Sequence, residues 1–196
     1  MTDQQTVAVT DRLLLKTWRE EDSRRFWEVM NTPAVMKWLG GPQPFESWHE
    51  GFARLQTYQR DYGHCFWLVE RQSDGMLLGF CGLKKINYEG APNMGMPEIG
   101  WRFREEAWGK GYAKEAAIAC LDLGFDRFGY DEITAVTVSG NEGSWGLMLR
   151  LGMREREELA FHDLKYSPLY GPARQWVITK DEWAAERPRV MASAAR

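Results

Sequence analysis

The chain has 196 residues, 44% apolar and 27% charged, with a formal net charge of −3 at neutral pH. That length suits one buried core, and no apolar run is long enough to cross a bilayer. The mild acidity argues against a general nucleic-acid binder, no apolar signal core opens the chain, and three cysteines without metal-ligand spacing indicate buried thiols in a reducing cytoplasm and no metal.

In chain order, residues 1–10 lack a clear period and are expected to form a flexible arm. Arg12 to Trp18 reads as a strand, and Asp22 to Met30 as a short helix with Phe26, Val29 and Met30 on one face. A further helical turn is expected over Ala34 to Leu39, before Gly40-Gly41-Pro42 breaks the chain. Phe45 to Tyr62 repeats Trp48, Phe52 and Leu55 at helical spacing. His64 to Arg71 and Met76 to Ile86 form a hairpin joined by Ser73-Asp74-Gly75. Pro97 to Phe103 alternates Ile99, Trp101 and Phe103 in the manner of a strand, and Ala113 to Phe128 is helical. A strand over Ile133 to Val138 and a helix from Asn141 to Leu151, stopped by Gly152, follow. Arg154 to Phe161 and Gln175 to Thr179 are the last strand candidates, and 185–196 is expected to be a loose tail. One domain spanning 11–184 is the expected organisation.

The junction Trp108-Gly109-Lys110-Gly111-Tyr112-Ala113 carries the most chemical information. Glycines there let a strand turn sharply into a helix and leave amides without side-chain cover. The first turn of a helix adds unpaired donors and a partial positive charge, a combination that cradles phosphate. Two better-known loops do not fit: Gly111 stands where a Walker loop needs Ser or Thr, and Lys114 fills the third glycine site of a dinucleotide fingerprint. A plain surface turn is the alternative reading of the two glycines. Ten tryptophans are scattered along the chain, most of them expected in the core with an indole partner, and Trp108 and Trp145 are the first candidates for a ligand contact.

The order of elements, with Asp11-Arg-Leu-Leu-Leu15, Glu98-Ile-Gly-Trp101, Trp108 to Ala113 followed by Glu115-Ala-Ala117, Asn141-x-x-Ser144 and Leu151-Gly-Met153, resembles the GCN5-related N-acetyltransferase (GNAT) superfamily. Within it the chain is similar to the RimJ/RimL branch, over residues 11 to 184. The resemblance implies an α/β (α+β) single-domain fold with a mixed central sheet splayed in the middle and flanked by helices. It implies acetyl-CoA as co-substrate, its pantetheine arm lying between the 97–103 strand, with Trp101 and Phe103, and the 133–138 strand, and its pyrophosphate on the amides of Gly109 to Ala113. Glu106 departs from the family's usual Gln or Arg and is expected to face solvent, with Arg104 or Lys110 supplying compensating charge.

Acetyl transfer to an amine needs a base, donors for the oxyanion and a proton for the departing thiolate. Glu98 is the candidate base, the alternative being a solvent-facing strand residue. The oxyanion donors are expected at a bulge near Gly100 to Arg102, unless Gly100 merely relieves crowding. The Tyr that many superfamily members use as acid is Met148 here, and Ser144 is the substitute implied by the branch. Asn141 is a candidate ligand contact, and both residues also suit a helix cap. His162 and Asp163 are weaker candidates for proton transfer. Trp38, Trp48, Phe161 and Tyr170 could line an acceptor cleft, core packing being the alternative. The expected acceptor is a primary amine, on a small molecule or a protein N-terminus, and a homodimer is compatible with the sequence. A non-catalytic acyl-CoA-binding or protein-interaction module is the alternative function.

Overall fold

A computed structural model describes residues 4–193. The chain divides into two compact units: one comprises the chain through Lys84 with Trp101–Ala119, the other Lys85–Gly100 with the chain from Cys120 onward.

In the first unit β1 (Thr6–Val9), β2 (Leu13–Lys16), β3 (Phe66–Arg71) and β4 (Leu77–Lys85) lie side by side, followed by the C-terminal half of β5 (Pro97–Phe103). β1 pairs antiparallel with β2, β2 with β3, and β3 with β4. Helices α1 (Asp22–Met30) and α2 (Phe45–Tyr62) match the expected spans. Their apolar faces close an aromatic core in which Phe26 stacks on Trp48 at 4.7 Å and on Phe80 at 5.5 Å, with Trp18 edge-on to Phe26 at 5.2 Å. Aromatic side chains bury large areas, so this cluster supplies much of the unit's hydrophobic stabilisation. The expected helical turn at Ala34 to Leu39 is a run of turns instead. One i→i+4 bond, from the Met36 N–H to the Thr32 carbonyl at 2.9 Å, starts the run, and Gly40 and Gly41, both at positive φ, end it.

The second unit is built on β6 (Glu132–Val138), paired antiparallel with β8 (Ala173–Thr179) from Glu132↔Thr179 to Val138↔Ala173. β7 (Arg154–Glu155) borders β8, and the N-terminal half of β5 pairs with β6 in parallel at Glu98↔Thr134. The sheet is therefore mixed, mostly antiparallel, as expected of the α/β class. Helix α3 (Tyr112–Asp122) begins in the first unit and ends in the second, where it widens into a π turn over Leu123–Arg127. Helix α4 (Glu142–Arg150) and the short α5 (Ser167–Tyr170) complete the elements before β8.

Three further expectations need correction. The strand expected over 154–161 is β7 followed by a 3-10 turn at Glu157–Leu159 and a lone bridge from Phe161 to Ala173, because Glu157-Glu158 interrupts the alternation. Residues 6–9, expected in a flexible arm, form β1, whose backbone partners lie on β2. Residues 185–192, expected in a loose tail, continue α6 (Lys180–Ala192). Thr179 and Glu182 cap that helix reciprocally, Trp183 is buried and donates its indole N–H to Asp122 at 2.9 Å, and Arg187 grips the same carboxylate with two bonds of 2.8 Å.

Candidate active site

In the first unit, β5 leaves the sheet at Arg104, makes a 3-10 turn over Glu105–Ala107 and enters α3 through Gly109 and Gly111. Both glycines have positive φ, +71° and +79°, a conformation that costs other L-residues about 1–2 kcal/mol. The N–H groups of Gly109, Lys110 and Gly111 donate to no backbone carbonyl among the described residues, and those of Tyr112 and Ala113 belong to the first turn of α3. A Cβ built on Gly109 would meet nothing within 4 Å. Amides without backbone acceptors, open space beside Gly109 and a helix start are the features that suit an anion.

Glu106 is exposed, as expected, and locked to Arg104 by two bonds, Nε to Oε2 at 2.9 Å and Nη2 to Oε1 at 2.8 Å. That guanidinium holds the Glu106 carboxyl well below its ordinary range, at about 2. Arg104 thus neutralises Glu106, and Lys110 stays exposed on the loop itself. Trp108 is half-exposed and donates its indole N–H to Phe103 at 2.8 Å, so its ring is fixed at the mouth of the loop. Phe103 and Tyr112 are buried, whereas Trp101 and Ala113 are half-buried.

In the second unit Glu98 is 4% exposed, which removes the solvent-facing reading. Its Oε1 accepts a 2.8 Å hydrogen bond from the Tyr88 hydroxyl. Burial, then the Glu98 charge, push the Tyr88 phenol well above its ordinary range, so Tyr88 remains a donor. Thr134, the register partner of Glu98 on β6, is fully buried, and its hydroxyl has no hydrogen-bond partner among the described residues. Tyr88 packs on Phe161 at 5.8 Å in a cluster with Ile86, Ala91 and Ala173. Tyr88 escaped the sequence reading: it lies in the connection between β4 and β5, which has no period.

Asn141 precedes α4, but its side chain does not cap the helix; its side-chain amide donates to Thr137 Oγ1 at 3.1 Å, while its backbone carbonyl accepts from the Ser144 backbone N–H at 3.0 Å. The Ser144 hydroxyl makes no hydrogen bond among the described residues and is half-buried, and Met148 is buried at 1% exposure. Asp163 is engaged by the Lys165 and Tyr166 amides at 2.9 and 2.8 Å, a turn-forming role, and His162 is exposed. Trp48 belongs to the core of the first unit, Phe161 to that of the second. Cys65, Cys81 and Cys120 are all buried, and burial pushes the Cys65 thiol up. Among the described residues no cluster of His, Cys, Asp and Glu could hold a metal ion, and no helix is long and apolar enough to cross a membrane.

The sequence profile of the Acetyltransferase (GNAT) domain matches residues 12–154. YkkB of Bacillus subtilis is 33% identical over 149 residues, covering 76% of this chain and 85% of its own. Among solved structures, spermidine N-acetyltransferase from Vibrio cholerae, in complex with CoA and spermine, superposes with a TM-score of 0.68 at 21% identity, covering 89% of this chain and 99% of that one. RimJ of Mycobacterium smegmatis, in complex with CoA-disulfide, does so with a TM-score of 0.71 at 17% identity, covering 94% and 92%. A family profile and a relative that each match most of the chain lead to one conclusion: this protein belongs to the GNAT acetyltransferase family and is an acetyl-CoA-dependent N-acetyltransferase.

Proposed function

We propose that the chain transfers the acetyl group directly from acetyl-CoA to a primary amine within a ternary complex, in the manner of the RimJ/RimL branch. The observation that carries this reading is the set of amides at Gly109, Lys110 and Gly111 that meet no backbone carbonyl among the described residues, two of them on positive-φ glycines at the start of α3. Those amides, with Tyr112 and Ala113, would hold the pyrophosphate, and Lys110 would add positive charge. Trp101, Phe103, Trp108, Arg104 and Asn141 would border the rest of the cofactor.

Glu98 is the proposed base. Its carboxylate is held by Tyr88, and the orphaned Thr134 hydroxyl beside it can receive an ammonium or a water that relays its proton. Removing that proton frees the amine lone pair for attack on the thioester carbonyl. Backbone N–H groups of Gly100 to Arg102 are the proposed oxyanion donors, and the Ser144 hydroxyl the proton source for the thiolate. Holding both substrates in register would supply much of the rate, up to about 7–11 kcal/mol. Direct transfer is supported by the cysteines, all buried and so poorly placed to form an acyl-enzyme. The acceptor class, a small-molecule amine or a protein N-terminus, is supported by the likeness in fold to the spermidine enzyme and to RimJ.

Calorimetric titration with acetyl-CoA, followed by transfer assays on polyamines, amino acids and peptides, tests this reading. Saturable binding and turnover with at least one amine, lost in Glu98→Gln with cofactor affinity kept, is the expected result. Binding without turnover on any amine would favour a non-catalytic acyl-CoA-binding protein; no binding at millimolar ligand would remove the reading altogether.

A further inference from the structure

Glu115 stands in the first turn of α3, where a free carboxylate would repel the phosphate that the amides attract. Both of its oxygens are occupied. Oε1 accepts from Thr10 Oγ1 at 2.6 Å and from the Arg12 amide at 2.8 Å, and Oε2 accepts from Arg12 Nε at 2.7 Å. The same guanidinium reaches the loop: Nη1 donates to the Lys110 carbonyl at 3.0 Å, and its carbon sits 4.5 Å above the Tyr112 ring. Nη2 would be 3.3 Å from a Cβ on Gly111. One side chain therefore bonds to Lys110, sits over Tyr112, fills the space a side chain on Gly111 would enter, and neutralises the only acid in the first turn of the helix behind it.

The bond to Lys110 sets a direction as well as a distance. In a trans peptide the carbonyl and the following N–H point opposite ways. Fixing the Lys110 carbonyl on Arg12 turns the Gly111 N–H away from Arg12. Arg12 itself stands on an anchored turn, since its carbonyl accepts from the Gln72 amide at 2.9 Å and Leu13 donates to Thr10 Oγ1 at 3.0 Å. A planar guanidinium with several donors can do this at once, whereas an ammonium cannot.

We infer that Arg12, oriented by Glu115 and Thr10, is the positioning residue of the phosphate cradle: it aims the Gly111 amide and cancels the Glu115 charge so that the loop accepts a pyrophosphate diester. The inference rests on the proposed binding of acetyl-CoA at Gly109 to Ala113 and gives a task to the Asp11-Arg-Leu-Leu-Leu15 segment, which that reading leaves without one.

The test compares two acetyl donors, acetyl-CoA and S-acetylpantetheine, which carries the thioester arm without any phosphate. Arg12→Gln should raise the acetyl-CoA Kd about tenfold, a loss of about 1.4 kcal/mol, while kcat/KM with S-acetylpantetheine changes less than twofold. Arg12→Lys keeps the charge but not the fork and should lose nearly as much. Thr10→Val, which removes one bond to Glu115, should cost about threefold. Equal losses with both donors, full retention, or rescue by Arg12→Lys would overturn the inference. So would loss of the fold in all three variants by circular dichroism, because Arg12 would then be holding the fold and not the loop. Failure of the wild-type protein to bind acetyl-CoA is a separate outcome and overturns the proposed function instead.

Discussion

Tyr88→Phe removes one hydroxyl and almost no volume, so its effect reports on what that hydroxyl holds, the 2.8 Å bond to the buried Glu98 carboxylate included. Hydrogen bonds to charged groups contribute about 1.5–3 kcal/mol, and the neighbourhood of Glu98, at 4% exposure, leaves little room for solvent to replace the donor. For a chain of 196 residues each kcal/mol moves Tm by about 2–4 °C, so a fall of about 3–12 °C is expected. Thermal unfolding of the wild type, Tyr88→Phe, Glu98→Gln and the double variant closes a cycle. In the Glu98→Gln background the tyrosine faces a neutral amide in place of the carboxylate, and its removal should cost about half as much. Steady-state acetyl transfer is measured on the same proteins, and Tyr88→Phe should lower kcat without changing the KM for acetyl-CoA. Costs that agree in the two backgrounds within about 0.5 kcal/mol would refute the coupling, and an unchanged kcat would refute the catalytic importance of the pair.

Gly109→Ala should lower stability by about 1–2 kcal/mol through its φ of +71° alone, since the added carbon meets no atom, and should weaken acetyl-CoA binding; calorimetry and thermal unfolding report the two effects separately. Trp183→Ala, at a residue 3% exposed that also donates to Asp122, should cost about 3–5 kcal/mol in urea unfolding, and a cost below about 1 kcal/mol would show that α6 is dispensable. Arg154 and the capping bonds hold the Glu182 carboxyl at about 2, below its ordinary value, so its contribution is complete above about pH 4.5 and lost as pH falls toward 2. The stability advantage of the wild type over Glu182→Gln should therefore be constant above about pH 5 and narrow at lower pH; an advantage independent of pH would contradict this.

What the sequence made legible was local. α1 and α2 show their apolar faces at helical spacing, and β5, the two glycines and α3 announce themselves between Pro97 and Asp122 because each signal depends on near neighbours. β1 is too short to show a period and exists through its partner β2. α6 was missed because Pro188 reads as a breaker, although Thr179 and Glu182 stand at capping-box spacing, a signal that was available. Burial of Glu98 could not be read from alternation, because β5 carries it beside Ile99, itself 1% exposed, and buries both faces there. Its partner Tyr88 lies across a connection whose path only the folded chain defines. The Arg12–Glu115 contact joins residues about a hundred positions apart, beyond the reach of any local pattern.

The antiparallel ladder between β6 and β8 also sets a timetable. β6 leaves the ribosome with a β-branched sequence, Glu-Ile-Thr-Ala-Val-Thr-Val, while Ala173, the partner of its last residue, is made about 35 residues later. At about 5–20 residues per second that is about 2–7 s during which the edge of β6 that β8 will cover stays open to strands of other nascent chains. Asp131 and Glu132, charges at the head of the strand, stand where gatekeeping residues are most useful. Truncation after the 12–154 segment would make that interval permanent, so acetyltransferase fragments lacking β8 should aggregate rather than fold.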